Sequence, residues 1–317
     1  MEEIMHVPDV VLNSDYKMPL LGMGTAAYPM PIDDLTSILV DAIETGYRHF
    51  DTAALYGSEE AVGRAVAEAI ERGIIKSRQQ VFITSKLWCT QAHPQFVLPA
   101  LKNTIGKLGL EYVDLYLIHW PVSMKPGPPV AMLNFKKEDV VPFDMKGVWK
   151  AMEECCRLGL AKSIGVSNFS CTKLSQLLQI ANIPPAVNQV EINVAWQQQK
   201  LLEYCKEKGV HVSAYSPLGS NGASWNSPII NDIATAKQKS IPQVALRWIY
   251  EQGASVIVKS FNKERMKQNL EIFDWELSNE DNFKIQDIPQ KKVYNGEDFT
   301  RPNGPYKSVD EIWDGEI

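Results

Sequence analysis

The chain has no CxxC pair, no HExxH, no GxxxxGK followed by Ser or Thr, and no apolar stretch approaching a membrane span. Each absence removes a class of function. The cysteines are few and odd in number, Cys89, Cys155, Cys156, Cys171 and Cys205, so a secreted disulfide framework is disfavoured and they read as reduced thiols. Without Cys/His ligand spacings, no metal is expected. Gly22 and Gly24 give only GxG, so neither the Rossmann nor the P-loop mode of nucleotide binding applies. A formal net charge of -6 disfavours nucleic acid as a partner. The start MEEIMHVPDV lacks a basic region followed by an apolar one, and the end DGEI is not a retention signal. No membrane partner is expected, and the cytosol is the expected location.

What the chain does contain is an alternation. Eight apolar runs of strand length, LLGMGT, RHFD, VFITSK, DLYLIH, SIGVSN, AVNQVE, VSAYS and ASVIVKS, are hydrophobic without a period of two, as strands covered on both faces are. Between them lie stretches of helical period such as SEEAVGRAVAEAIERG and SIPQVALRWIYEQG, most closing on Gly. Eight strands alternating with helices predict an α/β fold of the (β/α)8 TIM-barrel type, a single domain over residues 1–317. DVVLNSDYKMP reads as a hairpin that plugs the barrel's far end. Three connections exceed plain turns: Pro121 to Met145, Gly219 to Ile233 with Trp225, and the tail after Leu277 with Trp313. Long loops of this kind usually serve a binding site, so they are expected at or across the C-terminal rim.

The rim is where barrel strands place their chemistry. Asp51, Lys86 and His119 each end an apolar run, and Tyr56 lies five residues beyond Asp51. An ammonium leaving an apolar strand needs a carboxylate to offset desolvation, which Asp51 can supply. A lysine beside Tyr56 favours the phenolate and is expected to bring the phenol down from about 10 toward working pH. Tyr56 is then a candidate general acid, His119 a second hydrogen-bonding group for the reacting oxygen, and Trp88 and Trp120 apolar walls. Singly, each residue has an ordinary alternative: Asp51 or Thr52 as a helix cap, Lys86 in a structural ion pair, His119 as a core histidine. Together, at three successive strand ends, they suggest one site.

For a cofactor the signals are indirect. Ser167, Asn168 and Gln189 could hydrogen-bond a planar carboxamide and Tyr215 could stack on an aromatic ring, although each alone could be structural. In VIVKSFNKERMKQN, Lys259, Ser260 and Arg265 sit where a strand becomes a helix, an arrangement that suits a phosphate or else a solvated basic face.

Seven segments, GYRHFDTAALYGSEEAVG, ITSKLW, DLYLIHWP, GLAKSIGVSNF, NQVEIN, AYSPLG and VIVKSFNKERMKQN, resemble the aldo-keto reductases nearly end to end. MEECCRLGLAKSIGVSNFS, AWQQQKLLEYC and RWIYEQGASVIVKSFNKERMKQNLEIFDWEL are similar to the plant specialised-metabolism branch, which holds codeinone, methylecgonone and chalcone reductases. The resemblance implies a (β/α)8 barrel that binds NADPH across its rim and reduces a small-molecule carbonyl substrate, as a monomer. It implies Tyr56 as proton donor, Lys86 and Asp51 as its tuning pair, and His119 as the carbonyl-orienting group. Ser167, Asn168 and Gln189 would hold the nicotinamide amide and Tyr215 would stack on its ring. Lys259, Ser260 and Arg265 would bind the 2'-phosphate, and Gln268 and Asn269 would approach adenine. Thr25, Ala26, Asp51, Ser216, Leu218 and Phe261 complete the implied cofactor contacts.

The substrate would meet Tyr56, His119, Trp88 and Trp120. Ala26 stands where the sugar-reducing branch carries a large aromatic, so a wider pocket is expected. Met124, Met132, Leu133, Phe135 and Trp225 in the long loops would add apolar wall, favouring a bulky cyclic ketone of alkaloid or polyketide type. The alternatives are a general detoxifying aldehyde reductase and a cofactor-sensing regulatory subunit.

Overall fold

A computed structural model describes residues 7–27, 30–129, 136–220, 222 and 227–317. Eight parallel strands close a barrel in the order expected of consecutive β/α units: β3 (Leu21–Gly24), β4 (His49–Asp51), β5 (Phe82–Leu87), β6 (Val113–Ile118), β9 (Ala161–Ser167), β10 (Val187–Glu191), β11 (His211–Tyr215) and β12 (Ser255–Val258). Strand β12 pairs back onto β3, closing the ring. All eight correspond to the apolar runs, because a strand with the barrel interior on one side and helices on the other has no wet face to alternate toward. The register brings their polar ends level: Gly24 pairs Asp51, Gln189 pairs Ser167, and Glu191 pairs Tyr215.

The barrel helices bury their apolar faces against this ring. α1 (Ile32–Thr45) stops at Gly46, α2 (Glu59–Glu71) follows β4, and α3 (Pro94–Leu108) stops at the left-handed Gly109. Helices α2 and α3 approach closely enough that a Cβ on Gly63 would sit 1.9 Å from the Leu108 carbonyl oxygen. Three further helices, α4 (Met145–Arg157), α5 (Cys171–Ile180) and α6 (Gln199–Glu207), continue the alternation. The hairpin also forms: β1 (Asp9–Val11) pairs antiparallel with β2 (Lys17–Pro19). Its Leu12 and Met18 bury against Phe82, Leu115, Leu117 and Val187, and Asn13 Nδ2 donates to the carbonyls of Pro185 and Gly209 at 3.0 and 3.1 Å. It therefore covers the strand-start end of the barrel.

The long connections hold more structure than their composition suggested. β7 (Ser123–Met124) and β8 (Val140–Val141) form an antiparallel pair inside the Pro121–Met145 segment. The stretch read as loop to Ile233 already contains α7 (Pro228–Lys237), followed by α8 (Ile241–Glu251) and α9 (Lys263–Leu270). Ser227 caps α7 through its side chain and Pro228 occupies the first turn, a start signal in Ser-Pro that the small neighbouring residues obscured. The tail forms α10 (Asn279–Gln286) and α11 (Val309–Trp313). It is anchored, since Trp313 and Ile312 bury with Trp120, Trp88 and Phe299 in a second core, and the Glu316 carboxylate accepts from the backbone N–H groups of Cys171 and Thr172 at 2.7 and 3.0 Å.

Candidate active site

A cavity of about 520 Å³ opens at the C-terminal rim. Asp51 and His119, at the ends of β4 and β6, line it together with Tyr56 from the loop after β4, while Lys86 lies beneath, 1% exposed. Lys86 Nζ donates to Asp51 Oδ1 at 2.5 Å, to the Thr52 carbonyl at 3.0 Å and to Tyr56 Oη at 3.5 Å. Tyr56 Oη lies 3.4 Å from His119 Nε2. Three strand ends and one loop thus make a continuous chain from a buried carboxylate to a hydroxyl in the cavity.

The electrostatics follow from burial. Desolvation works against the Lys86 ammonium, but the charges of Asp51 and Tyr56 and their hydrogen bonds outweigh it, and its pKa is raised. Desolvation pushes the Tyr56 phenol up, and the attraction of Lys86 only partly opposes it. This reverses the direction expected from the sequence: the lysine's charge is largely committed to Asp51, 2.5 Å away, and Tyr56 is the more distant partner. Tyr56 is therefore held protonated. Desolvation, aided by Lys86, holds His119 well below the usual imidazole range, so it is neutral. Its Nδ1 is buried and has no hydrogen-bond partner among the described residues. A neutral imidazole has a single N–H, and placing it on Nδ1 would bury an unmet donor. The proton belongs on Nε2, facing Tyr56.

The amide-bearing residues converge on the same cavity. Gln189 Nε2 donates to Asp51 Oδ2 at 2.8 Å, Ser167 Oγ to the Gln189 carbonyl at 2.7 Å, and Tyr215 Oη to Asn168 Oδ1 at 2.7 Å. Asn168 Nδ2 donates to the His119 carbonyl at 2.9 Å. These groups hold one another in fixed orientations, and the carboxamide oxygen of Gln189 accepts no hydrogen bond among the described residues. Asn168 and Ser216, immediately after β9 and β11, adopt φ of 62° and 49°. Left-handed backbone at a non-glycine residue costs on the order of 1–3 kcal/mol and concentrates at functional sites.

Ser216, Leu218, Ala26 and Thr25 line the cavity too, although the Thr25 hydroxyl is engaged by the Asp51 carbonyl and by Ser58 Oγ at 3.0 and 2.7 Å. Gly22 owes its place to packing: a Cβ there would lie 2.8 Å from His49 Nδ1. Lys259 reaches the cavity edge and donates to the Ala26 carbonyl at 2.9 Å. Ser260, Phe261, Arg265, Gln268 and Asn269 lie outside the cavity lining, on the turn into α9 and on that helix. Arg265 and Gln268 are exposed, whereas Asn269 is buried and its side chain bonds Tyr47, so it is occupied by packing.

Trp88 and Trp120 are walls as expected, with the Trp88 and His119 rings edge-to-face at 5.2 Å. Met124 is not a wall; the β7–β8 pairing turns it into the second core. Met132, Leu133, Phe135 and Trp225 fall outside the described residues. Leu55, Ile257 and Tyr294 also line the cavity, which no motif of the sequence indicates. Leu55 stands beside Tyr56 and could have been inferred from that neighbour, but Tyr294 comes from an irregular tail with no local pattern.

The aldo/keto reductase family model matches residues 20–289. Rhazimal reductase 2 of Alstonia scholaris is 56% identical over the whole of both chains, and protein REDOX 2 of Catharanthus roseus is 54% identical over the same span. Deoxymugineic acid synthase 1 of Oryza sativa subsp. japonica is 56% identical, covering 95% of this chain and 96% of its own. Among solved structures, an aldo-keto reductase of Bombyx mori in complex with NADP superposes with TM-score 0.82 at 36% identity, covering 90% of this chain and 94% of that one. The aldose reductase of Schistosoma japonicum gives 0.85 at 32%, covering 92% and 96%. The chain belongs to the aldo/keto reductase family, as an NADPH-dependent oxidoreductase acting on carbonyl groups.

Proposed function

We propose that this protein reduces a bulky, mostly apolar cyclic ketone, with Tyr56 as the proton donor to the carbonyl oxygen. The observation that carries the reading is the contact chain Asp51–Lys86–Tyr56–His119, buried below the cavity and ending in a protonated hydroxyl within it. When bound, NADPH would supply a hydride for the carbonyl carbon. Tyr56 gives the oxygen its proton, and the resulting alcohol leaves. The Tyr56 O–H and the His119 Nε2–H converge on one point, so a carbonyl oxygen placed there meets two donors as negative charge grows on it. Lys86 stabilises the phenolate left after transfer, and Asp51 keeps Lys86 charged.

The donor set suits the cofactor. Gln189 offers an unmet amide oxygen to a carboxamide N–H, Ser167 and Asn168 fix the edge of that recess, and the Tyr215 ring gives a stacking face. Lys259 and Ser260 on the turn before α9 and Arg265 in its first turn would provide positive charge and a hydroxyl for a 2'-phosphate, while the Arg265 N–H itself is held by the Asn262 side chain at 3.0 Å.

The substrate class rests on the walls. Leu55, Trp88, Trp120, Leu218, Ile257 and Tyr294 present apolar surface, and Ala26 leaves space at the edge. Such walls reward apolar contact at about 25 cal/mol per Å² and leave sugar hydroxyls without partners. Steady-state NADPH oxidation with a multi-ring ketone and with xylose tests it. A higher kcat/KM for the ketone is expected, while faster xylose reduction would return the enzyme to the general aldehyde reductases. Tight NADPH binding with negligible turnover of any carbonyl would mark a cofactor sensor instead.

A further inference from the structure

Between α10 and the helical turn at Glu297–Phe299, residues 287–296 run without helix or strand, yet Tyr294 from this stretch forms part of the cavity wall. A backbone segment without a ladder must satisfy its N–H groups by other means. Lys291 N–H donates to the Ala195 carbonyl at 2.6 Å and Asn295 N–H to that of Val293 at 3.1 Å, while a single side chain takes two N–H groups between them. Glu191, the last residue of β10 and 0% exposed, accepts from Val293 N–H with both carboxylate oxygens, at 3.2 and 3.1 Å, and from Tyr294 N–H at 2.8 Å.

Glu191 makes no salt bridge among the described residues. The neighbouring cation, Lys292, has a buried Nζ that forms no hydrogen bond among the described residues and rests 3.8 Å from the centre of the Trp313 ring and 5.3 Å from that of Trp196. The carboxylate therefore spends its hydrogen-bonding capacity on the strap, and charge-assisted bonds of this kind are roughly twice as strong as neutral ones. Alternation along β10 puts Gln189 and Glu191 on the same face, so the strand that holds Asp51 through Gln189 also fixes the strap two residues further on. Tyr215 is the register partner of Glu191, and its ring meets the Tyr294 ring edge-on at 5.7 Å.

We propose that Glu191 is a positioning residue which, through Tyr294, fixes the cavity wall beside Tyr215 and thereby selects for large rigid ketones over small aldehydes. The inference rests on the reading of the Tyr56 cavity as the reduction site. Glu191 touches none of the reacting groups; its effect passes through the strap. Changing it to Gln replaces one acceptor oxygen with an N–H₂ group facing a backbone N–H, loosening the strap while conserving shape.

The test is a double-mutant cycle of Glu191→Gln and Tyr294→Ala, following NADPH oxidation with a multi-ring ketone and with a small aliphatic aldehyde. Glu191→Gln is expected to raise KM for the ketone by about three- to tenfold, the worth of one hydrogen bond. Its kcat with the small aldehyde and its NADPH affinity by fluorescence quenching should stay within about twofold, below the effect of one hydrogen bond. Adding Glu191→Gln to Tyr294→Ala should change the ketone KM no further, since the residue through which it acts is already gone. Equal losses with both substrates, additive effects in the cycle, or an unchanged ketone KM in Tyr294→Ala would each overturn the proposal. The Tyr294→Ala arm is readable even if Glu191→Gln fails to fold. Failure of the reduction reading appears separately, as turnover that survives Tyr56→Phe.

Discussion

Two clefts of similar size lie at opposite ends of this barrel: the rim cavity of about 520 Å³ and another of about 550 Å³ beside the plugging hairpin. The second also gathers charged and aromatic residues, among them Lys17, Arg48, Tyr112, Asp114 and Lys162. What separates them is how those charges are used. At the plugged end Asp114 accepts from Arg78 at 2.6 Å and from the Ile83 N–H at 2.7 Å, and Arg78 and Lys162 both lie over the Tyr112 ring. The charges there fasten strand to strand. At the rim the Asp51 carboxylate fixes Lys86, and Lys86 still reaches a hydroxyl that faces open space. Size and composition therefore do not define a site; an unfinished contact chain does.

The largest test of that contrast is a pair of tyrosine-to-phenylalanine changes. Tyr56→Phe should lower kcat by about 10²–10³ or more, the usual cost of losing a group that acts on developing charge, with NADPH affinity nearly unchanged. Tyr112→Phe, at the other end, should leave kcat alone. Retention of more than about a tenth of wild-type kcat by the first variant would contradict its role as donor. With Tyr56 as the proposed donor, reduction would need its protonated form, and because burial holds that phenol up, the alkaline limb of kcat should lie high and move higher still in Lys86→Met. An unmoved limb would separate Lys86 from the tuning.

Next in size is Arg265→Ala. It should weaken NADPH by about ten- to a hundredfold, the worth of a charge-assisted hydrogen bond, and leave NADH nearly unaffected. Equal losses for both cofactors, measured by fluorescence titration, would make Arg265 structural.

The strand-start end should announce itself through stability. Burial pushes His49 and His211 down to about 4. Their folded pKa values lie below the unfolded value, so between pH 6.5 and 4 the unfolded chain takes up more protons and stability falls as pH drops. At pH 5 each should cost about 2 kcal/mol relative to pH 7. Urea unfolding at both pH values checks this, with kcat of the surviving folded enzyme expected to change less than its stability. A flat stability between pH 7 and 5 would mean that these imidazoles are not buried neutral.

The smallest effect sharpens the rim itself. Ala26→Trp should lower kcat/KM for a multi-ring ketone by about tenfold, on the scale of a few buried methylenes, and leave small aldehydes less affected. An indifferent variant would remove Ala26 from the substrate's path.

The legible part of this protein follows from periodicity and from position along a strand. Eight doubly covered strands announce themselves as unbroken apolar runs, and a polar residue ending such a run, as Asp51, Lys86 and His119 do, has the rim as its natural destination. Helix α7 was hidden because its Ser-Pro start sits among the small residues of a loop. Met124 looked like a wall because hydrophobicity in a loop does not say which way it turns. The direction of the Tyr56 shift is not legible there, because a sequence shows the partner but not the desolvation, nor that the partner's charge is already engaged.

By itself the sequence determined the barrel and the residues that meet at its mouth, because both depend on local pattern and on the alternation of elements. Only the tertiary structure decided which hydroxyl stays protonated, which nitrogen of His119 carries the proton, and how Glu191 brings Tyr294 to the wall. Glu191 and Tyr294 are separated by 103 residues and meet through a hydrogen bond of side chain to backbone. Such a contact leaves no period and no motif, since any residue but proline supplies the N–H it needs.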